Sequence, residues 1–94
     1  DPAVSNPTIV SVIQLELDMH PQLAGTRLPR HEDPQVMVLV ALQHLATKCD
    51  RPVVVLFDEA DSLHDESLVS FLRQLRHGYV TRGRHPFIHS VALV

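Results

Sequence analysis

The stretch "VVVLFDEADSL", residues 53 to 63, sets five consecutive apolar residues directly against two carboxylates, Asp58 and Glu59. The run is too short for a stable helix and opens with three β-branched residues, so it predicts a strand. Because it does not alternate with polar residues, both strand faces are expected to be covered, as they are when helices pack on either side of a parallel sheet. The two acids then fall at the carboxyl end of the strand, where open α/β sheets hold their ligands.

The rest of the chain is read outward from that strand. Over Thr8 to Met19, Ile13, Leu15, Leu17 and Met19 alternate with Gln14, Glu16 and Asp18, the period of a strand, although Asn6-Pro7 ahead of them is also a helix-start signal. Two prolines, a glycine and several ionisable groups make 20–32 a loop. Asp33-Pro34 then supplies an N-cap followed by proline at the first helical position, predicting a helix over 34–49 that is apolar on nearly every side. Ser62 or Asp65 is positioned to cap a helix over 64–77, in which Leu68, Phe71, Leu72 and Leu75 recur at helical spacing. Gly78 supplies its stop, and a polar turn leads to a last apolar strand over 87–94.

With the acidic strand placed at 53–58, the order is β-α-β-α-β. Its connections are long enough for right-handed crossovers, so a three-layer α/β unit with a parallel sheet is expected over residues 1–94.

Composition narrows the function classes. The 94 residues make at most one domain, and 45% apolar with 20% charged residues describes a globular chain. A formal charge of -3 gives no basic footprint for nucleic acid. No apolar run approaches the roughly 20 residues of a membrane span, and no basic segment precedes an apolar one at the N-terminus, so a cytoplasmic protein, or a piece of one, is expected. The single cysteine, Cys49, has no internal partner and is read as a buried thiol. Met19 and Met37 are read as core.

Two adjacent acids on a rigid strand end suit phosphoryl chemistry. Asp58 would hold a magnesium ion directly or through water, and Glu59 would orient or deprotonate the water that attacks a terminal phosphate. The plainer reading is that the pair opens a loop and caps the following helix.

The wider string is more specific. "RPVVVLFDEADSL" resembles the Walker B segment of P-loop ATPases, and with "LRQLRHGY" and "HSVALV" it looks like the bacterial AAA-like ATPases. The likeness covers residues 51–94 well and residues 1–50 only in layout. It implies that Asp58 is the magnesium-associated, cofactor-binding aspartate, that Glu59 is the catalytic glutamate, and that ATP and magnesium are the cofactors of a longer parent. It also implies that the strands over 8–19, 53–58 and 87–94 are neighbours in the family order 4-3-2, and that a macromolecular partner or oligomer is moved or assembled.

The phosphate-cradling loop G-x-x-x-x-G-K-[ST] is missing: none of Gly25, Gly78 and Gly83 is followed by Lys-Ser or Lys-Thr. A sensor residue expected just after the last strand would lie beyond Val94. The chain therefore reads as an internal fragment or a truncated product of such an ATPase, inactive by itself, with the nucleotide held mostly by residues outside it.

Two other readings stay open. Asp58 to Asp61 spell "DEAD", as in motif II of the DEAD-box RNA helicases, but "LRQLRHGY" is not helicase-like and the next strand reads "SVALV". A non-enzymatic α/β module that binds a protein partner is the other. The seven histidines, His20, His31, His44, His64, His77, His85 and His89, show no zinc spacing with Cys49. Arg73 and Arg76 share a helix side and are read as a solvated face within reach of a phosphate or a neighbouring subunit. Tyr79 is read as packing against the helix end.

Overall fold

A computed structural model describes residues 1–58 and 63–93. Its elements are α1 (Pro2–Met19), α2 (Pro34–Lys48), β1 (Val54–Phe57), α3 (Asp65–Thr81) and β2 (Ser90–Leu93).

The segment expected as a strand over 8–19 is the greater part of α1. Asp1 caps this helix, its carboxylate accepting from the Ala3 amide at 2.9 Å, and Pro2 stands where a missing donor costs nothing. Asn6, Val10, Ile13 and Leu17 form the buried stripe at helical spacing. The period-two pattern arises because Leu15 and Met19, which alternate with the polar residues just as Ile13 and Leu17 do, lie on the exposed side. Helical burial thus divides one apolar alternation between two faces.

Among the described residues the three-layer sheet in the order 4-3-2 is consequently not formed. Their sheet has two strands, β1 and β2, parallel and joined through α3, with Val55 opposite Val91 and Phe57 opposite Leu93. The three helices pack on one another, α1 across both α2 and α3.

Nor is β1 covered on both sides. Val53, Val55 and Phe57 pack toward the core, whereas Val54 and Leu56 are 63% and 64% exposed. The wholly apolar run therefore has one face in the core and one outside it.

The core is centred on α2, whose Val38, Ala41 and Leu42 are completely buried against Val10, Phe71 and Ile88. Asp33 starts α2 as an N-cap, its carboxylate accepting from the Gln35 amide at 2.9 Å. The loop before it is tied to α1 by Gln14, which donates to the Thr26 carbonyl at 2.8 Å and accepts from the Leu28 amide at 2.7 Å. Gly25, at φ +98°, occupies the left-handed region in that loop, where a Cβ is unfavourable.

In α3, His64 takes the N-cap position without a side-chain cap bond, and Asp65 and Glu66 in the first turn complement the helix dipole. The helix runs through Gly78 instead of stopping there. Gly78 is buried, and an added Cβ would lie 2.6 Å from Phe87 Cδ1, so its use is the close approach of the segment leading to β2. Phe87 also meets Tyr79 edge-on, with ring centroids 5.1 Å apart.

Candidate functional site

Asp58 follows β1 immediately and sits in an exposed turn at the carboxyl end of the strand. The strand end is fixed from below by Phe57, whose ring meets the fully buried Phe71 of α3 edge-on with centroids 4.9 Å apart. This aromatic pair anchors the point at which the apolar run becomes acidic. Glu59 lies outside the described residues, as do Ala60, Asp61 and Ser62.

A groove of about 460 Å³ runs between α1 and β1. Its apolar lining includes Ile13, Leu17, Leu45 and Val55, and the ionisable residues along it are Glu16, His20 and Asp58. No residue of β2 contributes to its wall. The groove therefore lies on the side of β1 that β2 does not occupy.

Backbone geometry gives that side a chemical character. The Val53 carbonyl accepts from the His89 amide at 2.7 Å. In a parallel ladder, alternate residues turn their N–H and C=O groups toward the same neighbour, so those of Val55 and Phe57 face β2. Those of Val54 and Leu56 point to the opposite edge, and among the described residues no strand pairs with it.

The other charged residues singled out from the sequence lie elsewhere. Arg73 borders two different cavities: one of about 500 Å³ shared with Pro2, Gln35, Asp65 and Glu66, and a smaller one shared with Val36, Leu39 and His77. Neither contains Asp58, so α3 does not bring this arginine into the β1 groove. Arg76 is exposed on the same helix, and Tyr79 packs with Phe87 beneath Arg82, whose guanidinium carbon is 6.0 Å from the ring centroid. Cys49 is half-buried at the end of α2 and packs on the core. Among the described residues, no group of three His, Cys, Asp or Glu side chains is arranged to hold a metal ion. Among them also, no helix is long and apolar enough to cross a membrane.

A buried polar cluster went unread in the sequence. Gln74 Oε1 accepts from the amides of Val38 and Leu39 at 2.8 and 3.0 Å, while its Nε2 donates to the Ser70 carbonyl and hydroxyl. Asn6 Nδ2 donates to Ser70 Oγ at 3.2 Å and to the Pro34 carbonyl in the first turn of α2. Beside it, Ser67 Oγ receives the Ser5 hydroxyl and the N-terminal ammonium. Side chains from α1 and α3 thus add bonds to the first turns of α2. Ser67, Ser70 and Gln74 recur at core spacing together with Phe71 and Leu75, and that polar intrusion in an apolar stripe was the available signal.

Comparison of the chain with protein-family models, curated proteins and solved structures finds no match.

Proposed function

We propose that this chain supplies the magnesium and hydrolysis side of an ATP-hydrolysing site and that alone it hydrolyses no ATP. The reading is carried by the position of Asp58, at the carboxyl end of a strand whose parallel neighbour is reached through a helical crossover. The likeness of residues 51–94 to Walker B ATPases supports it. In this reading Asp58 holds magnesium through an oxygen or a bound water. Glu59 takes the proton of the attacking water as oxygen bonds to the γ-phosphorus and the β–γ bridge breaks, giving ADP and phosphate. The phosphate-cradling amides and lysine are not encoded in these 94 residues, so most of the affinity for the triphosphate must come from elsewhere.

Calorimetric titration of residues 1–94 with ATP and magnesium tests this division: no binding is expected at micromolar nucleotide. Micromolar affinity in the isolated chain would overturn the assignment of the phosphate-binding half to other residues.

One observation favours a second reading, a module that binds a protein partner and no nucleotide. It is the edge of β1 with which, among the described residues, no strand pairs, beside an apolar groove. Nucleotide titration of a longer protein containing this chain separates the two readings, since the module binds none.

A further inference from the structure

We propose that the groove between α1 and β1 accepts an extended peptide segment, mainly apolar and bearing a lysine or arginine, which adds as a strand to the free edge of β1. The inference deepens the interaction-module reading and does not depend on nucleotide chemistry.

Three features select this occupant. The N–H and C=O groups of Val54 and Leu56 point along the open edge, and a partner in strand conformation satisfies alternating donors and acceptors at that spacing. A helix, whose backbone groups are bonded internally, does not. The lining beside the edge is apolar, with Ile13, Leu17 and Leu45 buried at its floor and Val12, Val54 and Leu56 exposed to alternate side chains of an added strand.

Charge decides between partners. Glu16, exposed on α1, places a carboxylate on the groove wall, and Asp58 adds a second acidic residue at the carboxyl end of the strand. His20 is the other ionisable residue there. A cationic side chain in the incoming strand complements Glu16. A second copy of this chain, joined edge to edge, brings acidic walls together in a molecule that already carries a formal charge of -3.

The test uses a fluorescein-labelled octapeptide of six valine and alanine residues and two lysines, with glutamate in place of both lysines as control, in fluorescence anisotropy titrations with the whole 94-residue chain. Saturable binding of the lysine peptide is expected, at least about tenfold tighter than the glutamate peptide. Glu16→Lys, on an exposed helix position, is expected to weaken the lysine peptide about fivefold without altering the circular dichroism spectrum. Hydrogen exchange should show the amides of Val54 and Leu56 newly protected when the peptide is bound.

Equal affinity for the two peptides, or binding without protection at Val54 and Leu56, would overturn the proposal. Sedimentation showing that the chain dimerises through this edge would assign the groove to a second copy and overturn it as well. Failure of the lysine peptide to bind would overturn this proposal and leave the nucleotide proposal standing, because the latter rests on hydrolysis by a longer protein and not on the edge of Val54 and Leu56.

Discussion

The ring of Phe87 fills the space that a side chain on Gly78 would need. A Cβ there would stand 2.6 Å from Phe87 Cδ1, closer than real Cβ contacts come, and the ring also meets Tyr79 edge-on. Gly78→Ala should gain up to about 1 kcal/mol of helix propensity and lose about 1–3 kcal/mol to overpacking, so destabilisation is the expected sign. Thermal melts should show the midpoint falling by several degrees, roughly 4–8 °C for each kcal/mol in a chain of this size. Gly83→Ala meets open space and should stay within about 0.5 kcal/mol of the parent.

Gln74→Leu keeps most of the side-chain volume and removes the acceptor shared by the Val38 and Leu39 amides. Both amides keep the carbonyls one turn back as helical partners, so the loss is that of the side-chain bonds, about 0.5–1.5 kcal/mol each. Urea denaturation should move to a lower midpoint with an unchanged slope, the mark of lost stability rather than a changed denatured state. A midpoint equal to that of the parent would show that the helix satisfies those amides unaided.

The uncovered face of the sheet predicts the opposite behaviour. Val54→Thr combined with Leu56→Thr changes two side chains that are mostly exposed and leaves a β-branched residue at both strand positions. Stability should change by less than about 1 kcal/mol, because little apolar burial is removed. Light scattering at high concentration should fall, since an exposed apolar edge strand is a template for aggregation.

For the acids, the informative host is a longer protein that contains this chain and a phosphate loop. There, Glu59→Gln should retain ATP binding while steady-state hydrolysis slows by about two or more orders of magnitude, the scale of a lost general base. Unchanged turnover would return Glu59 to a turn or capping role.

Legibility in the sequence followed how local each signal was. Asp33-Pro34 marks the start of α2 because a cap and a proline act within one turn. In α1 the helix-start signal read from the sequence is Asn6-Pro7, set against the alternation of Ile13, Leu15, Leu17 and Met19, whereas the cap in the structure is Asp1 ahead of Pro2. That alternation misleads because period alone does not say which apolar residues the core will use; only packing against α2 and α3 assigns Ile13 and Leu17 inward. Gly78 was read as a helix stop because the approach of Phe87, nine positions later, leaves no local trace. At the candidate site, the strand end at Asp58 was readable from the apolar run. The groove beside it was not, because its second wall is α1, a segment expected to be a strand.

The Gln74 contact carries a consequence for how the molecule assembles. Asp33 closes the end of α2 as soon as one turn forms, whereas the Val38 and Leu39 amides meet an acceptor 36 and 35 residues further along the chain. The first turns of α2 thus gain a long-range contact, which couples an otherwise local event to the closure of a long loop. Under native conditions α2 and α3 should open as one cooperative unit, and amide exchange in both helices should share a single opening free energy.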